Sequence, residues 1–193
     1  ALRRRRYMSK ASRMTNGEDT SRVGILMGSD SDWPALQKAA ETLREFGVKC
    51  EVSVISAHRT PDLAREYATG AAGRGISVII AAAGGAAHLA GNIAANTTLP
   101  VIGVPVESGA LHGLDALLAT VQMPAGIPVA TVALGSAGPA NAAIFAVEIL
   151  ALSDPALSAR LKDYKSKLKE KVAAGNARVQ KAMADMTAGR KQG

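Results

Sequence analysis

From Arg22 onward, short β-branched runs alternate with segments of helical period, and this alternation confines the chain to an α/β fold built on a parallel sheet. Five strands are expected, over Val23–Met27, Cys50–Ile55, Ser77–Ala81, Val101–Val104 and Val129–Val132. Each is short and almost continuously apolar, the pattern of strands buried on both faces. Helical periods fill the gaps, over Pro34–Phe46, Pro61–Gly73, Ala87–Asn96, Leu111–Thr120 and Ala140–Ala151. Thr60 before Pro61 and Asp154 before Pro155 supply an N-cap oxygen followed by a residue whose missing N–H costs nothing in the first turn. Gly47 and Gly75 stand where helix C-termini need them. One layer of helices cannot cover both faces of such a sheet, so right-handed crossovers predict a doubly wound three-layer α/β/α sandwich.

The remaining segments frame this domain, expected over residues 23–153. Residues 154–172 place Leu157, Leu161, Tyr164, Leu168 and Val172 at three- and four-residue intervals, an amphipathic helix whose stripe suits its own core or a neighbouring subunit equally well. We take 154–174 as this helix, 175–193 as a basic tail and 1–22 as a flexible basic leader.

Charge follows the same division. The formal net charge is +7, but residues 1–22 carry 7 basic and 2 acidic side chains and residues 160–193 carry 10 and 3. Residues 23–159 hold 6 basic against 11 acidic groups, the wrong sign for a general phosphate-backbone surface, so no nucleic-acid partner is expected. Apolar runs are cut by Gly and Pro into strand-sized pieces, which excludes a transmembrane helix. A lone Cys50 forms no internal disulfide and suits a reducing cytoplasm.

In a doubly wound sheet, ligands bind outside the carboxyl ends of the strands. Four loops fall there and hold nearly all the unusual residues. Gly28-Ser29-Asp30-Ser31-Asp32 leads from a strand into a helix; glycine permits close approach, Ser29 and Ser31 suit phosphate oxygens, and Asp32 suits ribose hydroxyls. Plain helix capping explains the same residues. Ser56-Ala57-His58-Arg59-Thr60-Pro61 pairs a proton-exchanging imidazole with a guanidinium fork for phosphate or carboxylate. Gly84-Gly85-Ala86-Ala87-His88-Leu89 offers little bulk before His88, suiting a tight pocket wall or dense helix-to-sheet packing. In the fourth loop, Pro105–Gly113, Ser108 is a further candidate and His112 is expected to be exposed or structural. No Walker loop, Gly-x-Gly-x-x-Gly after the first strand, His-Glu-x-x-His or cysteine cluster occurs, so neither a metal nor a cofactor is expected. A non-enzymatic module binding a phosphorylated ligand through Gly28–Asp32 remains the competing reading, and it leaves His58 and Arg59 without a purpose.

Taken together, Met-Gly-Ser-x-Ser-Asp-Trp at 27–33, Ser-Ala-His-Arg-Thr-Pro at 56–61 and Gly-Gly-Ala-Ala-His-Leu at 84–89 resemble the class I N5-carboxyaminoimidazole ribonucleotide mutases, also described as the catalytic subunit of phosphoribosylaminoimidazole carboxylase. Gly-Val-Pro-Val at 103–106 and Gln-Met-Pro-x-Gly-Ile-Pro-Val at 122–129 extend the resemblance. It implies a flavodoxin-like sandwich in a homo-octamer, with the C-terminal helix joining subunits. It also implies a cofactor-free isomerase of purine biosynthesis that moves a carboxyl group through CO2 on an aminoimidazole ribonucleotide. By the same resemblance His58 is the general acid and base. Ser29, Asp32, Ser56, Arg59, Gly84, Gly85, Ala86, His88 and Leu89 contact the substrate, with Gly28, Ser31 and Ser108 as further possibilities. Class II relatives carry Lys and Gly after the loop histidine, where this chain has Arg59 and Thr60. One departure is Ala90, where the family commonly has proline.

Overall fold

The computed structural model describes residues 22–189; the leader, apart from Arg22, and the last four residues of the tail lie outside them. The described residues form two compact units that part between Leu150 and Ala151.

The first unit is a five-stranded, wholly parallel sheet in the order β2-β1-β3-β4-β5. The strands are β1 (Val23–Met27), β2 (Cys50–Val54), β3 (Val78–Gly84), β4 (Val101–Val106) and β5 (Ala130–Thr131). Between and after them run α1 (Trp33–Glu45), α2 (Pro61–Ala71), α3 (Leu89–Ala94), α4 (Leu114–Val121) and α5 (Ala137–Ala151). Gly103 shows how the layers divide. A Cβ on it would press into Thr120 of α4 and Ala90 of α3, whereas the neighbouring Val104 lies against Gly138 of α5. Consecutive strand residues point to opposite faces, so α5 covers the face opposite α3 and α4. Ala64 and Ala68 of α2 share a buried cluster with Leu89, Ala90 and Ile93 of α3, Ile79 of β3 and Leu26 of β1. The right-handed rule then puts α1 with α5. This is the expected flavodoxin-like three-layer sandwich.

Two strands depart from the expectation of burial on both faces. β2 ends the sheet, and Val52 and Val54, which share one of its faces, are 41% and 53% exposed, so that face is left largely uncovered at the sheet edge. β5 shrinks to two residues paired with Ile102 and Gly103. Pro128 just before it has no N–H to give a ladder. β3 and β4 instead run longer than their apolar patterns suggest, to Gly84 and Val106, and Pro105 of β4 is tolerated because β5 has already ended there.

Helix starts shift for local reasons. α4 begins at Leu114 rather than Leu111, since His112 and Gly113 both take positive φ, of 48° and 85°. α3 begins at Leu89, so Ala90 stands in the first turn, where proline would lose no helical hydrogen bond and alanine is equally compatible. The hydroxyl of Thr60 does not cap α2; it turns back onto the Ser56 backbone.

The second unit is one helix, α6 (Pro155–Gly189), capped as expected by Asp154 Oδ1, which accepts from the Leu157 N–H at 3.0 Å. It continues well past residue 174, through most of the segment read as a tail. Gly175 and Asn176 interrupt the apolar spacing, but the flanking Ala, Lys, Arg, Gln and Met residues are strong helix formers. Val179, Met183 and Met186 resume the spacing on an exposed stripe with Leu168 and Val172. Among the described residues no helix is long and apolar enough to cross a membrane.

Candidate functional site

Strand register explains where the site lies. Met27 of β1 is level with Val54 of β2 on one side and Ala82 of β3 on the other, so three strands deliver their following loops to the same end of the sheet. β1 and β3 are neighbours whose connections leave toward opposite faces. The crevice between such strands is the topological switch point, where no helix fills the space above the strand ends. A cleft of about 220 Å³ opens there. It is lined by Gly28, Ser29 and Asp32 from the first loop, Ser56, Ala57, His58 and Arg59 from the second, Ala83, Gly84, Ala86, His88 and Leu89 from the third, and Ser108 from the fourth.

Each loop is held by its own hydrogen bonds. In the first, Ser29 Oγ accepts from the Ser31 N–H at 3.3 Å while the Ser29 N–H donates to Asp32 Oδ2 at 3.2 Å, a reciprocal cap at the entrance of a short 3-10 turn and α1. Capping and cleft lining are therefore done by the same two residues. Ser31 does not line the cleft; its hydroxyl donates to Ser29 Oγ at 2.8 Å and steadies the cap. Burial pushes the Asp32 carboxyl above the ordinary carboxylate range; the Ser29 N–H pulls it down and the charge of nearby Asp30 pushes it further up.

The second loop closes on Ser56. The Thr60 N–H and Thr60 Oγ–H both donate to the Ser56 carbonyl, at 2.8 and 2.9 Å, and Ser56 N–H donates to Thr60 Oγ1 at 3.0 Å. Ser56 Oγ accepts from the Arg59 backbone N–H at 3.2 Å. Arg59 Nη2 donates to the Gly28 carbonyl at 3.2 Å, so the guanidinium ties the second loop to the first while remaining exposed to the cleft. The side chain keeps further N–H groups for a ligand, since a guanidinium has five.

In the third loop Gly85 takes φ of +59°, a turn that lets the backbone reverse between β3 and α3. It does not line the cleft itself. A Cβ on Gly84 would stand 2.9 Å from Cβ of Ser108, so glycine here lets the third and fourth loops meet. His112 faces solvent, as expected, and lies 3.4 Å from Glu107 Oε1, outside the cleft lining.

One contact crosses the cleft that the sequence did not reveal: His58 Nε2 lies 2.8 Å from His88 Nδ1, with the rings edge to face. Thirty residues separate the two, and only the adjacency of β1 to both β2 and β3 brings their loops together. The small walls Ala57 and Ala83 were likewise not singled out, since alanine carries no chemical signal of its own. Among the described residues no three His, Cys, Asp or Glu side chains converge in a metal-binding group.

Fold and cleft define a flavodoxin-like α/β protein with a polar crevice at its switch point. Residues 22–171 match the sequence model of AIR carboxylase, and the chain belongs to that family. A protein of Mycobacterium tuberculosis named N5-carboxyaminoimidazole ribonucleotide mutase is 54% identical over 174 residues, covering 90% of this chain and 99% of the relative. A protein of the same name from Pyrococcus horikoshii is 59% identical over 150 residues, 78% of this chain and 84% of the relative. The crystal structure of Treponema denticola PurE superposes with a TM-score of 0.71 at 30% identity, over 81% of this chain and 96% of that one.

Proposed function

We propose that this chain is an isomerase of purine biosynthesis that interconverts N5-carboxyaminoimidazole ribonucleotide and 4-carboxy-5-aminoimidazole ribonucleotide. The observation that carries the reading is the cleft itself: two imidazoles, a guanidinium, three serines and a carboxylate surround about 220 Å³ at the carboxyl ends of the strands. The identity to relatives that bear the mutase name supports it.

Ser29, Ser56 and Arg59 bind the phosphate-bearing end of the nucleotide with hydroxyls and a charged fork, and Asp32 accepts from ribose hydroxyls. The loop Gly84–Leu89 closes over the imidazole ring, where small side chains leave room for CO2 and keep it near the ring carbon. Gly28, Ser31 and Ser108 support these loops. His58 acts as general acid and base. It protonates the carbamate nitrogen as the nitrogen–carboxyl bond breaks and CO2 departs, and it later removes the proton from C4 once CO2 has bonded there. The carboxyl group leaves one atom and joins another, with no net gain or loss of protons, so the chemistry calls for neither metal nor redox cofactor.

The protein works as a homo-octamer in the cytoplasm. The exposed Leu111, Leu114, Leu118 and Val121 at α4 and the bare Val52 and Val54 on the sheet edge support burial against other copies, since apolar surface of this kind gains from leaving water. The test is ultraviolet monitoring of the two carboxylated nucleotides with purified protein, without ATP, added bicarbonate or metal. Interconversion supports the mutase. Turnover only of aminoimidazole ribonucleotide with CO2 replaces it with direct carboxylation, and no reaction with either overturns the enzymatic reading.

A further inference from the structure

The contact between the two histidines assigns a task to the second one. His58 Nε2 and His88 Nδ1 are 2.8 Å apart, ring centroids 4.9 Å apart and planes at 82°. Two ring nitrogens at that distance hold one hydrogen between them, and either ring can supply it. We propose, resting on the mutase reading, that His88 is a positioning residue: its Nδ1 accepts from Nε2–H of His58 and so reserves Nδ1 of His58 as the nitrogen that exchanges a proton with the substrate.

The direction follows from the cycle that a general acid and base must complete. His58 alternates between imidazolium, with hydrogen on both nitrogens, and neutral imidazole, with hydrogen on one. Were His88 the donor, its Nδ1–H would oppose the Nε2–H of imidazolium and the bond would fail in half of the cycle. With His88 as acceptor, Nε2 of His58 keeps its hydrogen in both states and only Nδ1 changes. The proton on Nδ1 passes to the carbamate nitrogen as CO2 leaves. After CO2 bonds to C4, the C4 hydrogen returns to Nδ1 as a proton and its electron pair restores the ring. His88 carries its own hydrogen on Nε2 throughout and transfers nothing.

His88 is well placed to hold such an orientation. Its N–H donates to the Ala86 carbonyl at 2.8 Å, and its carbonyl accepts from the Asn92 N–H at 2.9 Å as α3 begins. The partner is thus fixed to a helix start, while His58 stands on a loop. Holding a catalytic imidazole in one tautomer through its other nitrogen is how carboxylates serve in other enzymes, and loss of that hold is costly.

The chain has three histidines, His58, His88 and His112, so imidazole 15N spectra of the full-length protein are simple enough to assign. In the wild type we expect the neutral form of His58 to carry its hydrogen on Nε2. His88→Leu should turn that single tautomer into a mixture and lower kcat by about 10²-fold, with KM kept within about twofold, as misorientation of a reacting group does. His88→Asn, whose side-chain oxygen can stand near the lost Nδ1, should restore both the tautomer and most of kcat. A wild-type His58 with hydrogen on Nδ1, or ring shifts unmoved by His88→Leu, overturns the proposal. The spectra judge the hydrogen bond without turnover, so a wild type that fails to interconvert the nucleotides counts against the mutase reading alone.

Discussion

Arg59→Ala separates ligand binding from folding more cleanly than any other change in the cleft. The guanidinium is exposed, and its internal bonds go to neutral oxygens, the Gly28 carbonyl at 3.2 Å and Ser56 Oγ at 3.5 Å from Nε. Removing such a side chain leaves those acceptors open to water, and the folded state loses less than about 1 kcal/mol. The bound phosphate, by contrast, loses a charge-assisted partner worth about 1.5–3 kcal/mol. At about 1.4 kcal/mol per factor of ten, affinity for the ribonucleotide should fall roughly 10- to 150-fold. Arg59→Lys should recover part of this, because a point charge remains while the fork is lost. Calorimetric titration with aminoimidazole ribonucleotide, beside a thermal melt, measures both arms. Unchanged affinity would remove Arg59 from the site, and a fall in Tm that tracks the loss of affinity would mean that its bond to the first loop, not a phosphate contact, is what matters.

His58→Asn should lower kcat by about 10²- to 10⁴-fold while nucleotide affinity stays near wild type; normal interconversion by this variant would refute its acid and base role. Gly103→Ala should cost about 1–3 kcal/mol from overpacking, since the new Cβ would stand 2.8 Å from Val129 Cγ1 and closer still to Thr120, and a denaturant melt with an unmoved midpoint would refute the packing account. Asp32 tests linkage: burial raises its folded-state pKa, so the stability it contributes is present below its unfolded value of about 3.8 and is lost as pH climbs through the folded value. Asp32→Asn should therefore melt no lower than wild type at pH 7 and lose that advantage toward pH 4, while binding the ribonucleotide more weakly at pH 7; melts across this range check the sign.

Much of the molecule is written in local patterns. β-Branched runs separated by helical periods require buried parallel strands with crossovers, and the hydrogen-bonding needs of such strands leave few other architectures. Gly28–Asp32, Ser56–Arg59 and Gly84–Leu89 could be placed at strand ends because loops there carry the residues that regular structure disfavours. The extent of elements was less legible. Pairing, not apolarity, carried β3 through Ala82–Gly84 and β4 through Pro105, and backbone left-handedness at His112 and Gly113 delayed α4. Strong helix formers on either side carried α6 past the interrupted stripe at Gly175 and Asn176.

Tertiary structure decided what the loops do together. Sequence determined that His58 and His88 each follow a strand, because that depends only on neighbours along the chain. That β1 lies between β2 and β3, so that two imidazoles thirty residues apart meet at 2.8 Å, depends on sheet order. Sheet order is set by the summed packing of helices on both faces, a long-range balance that no single loop or period encodes.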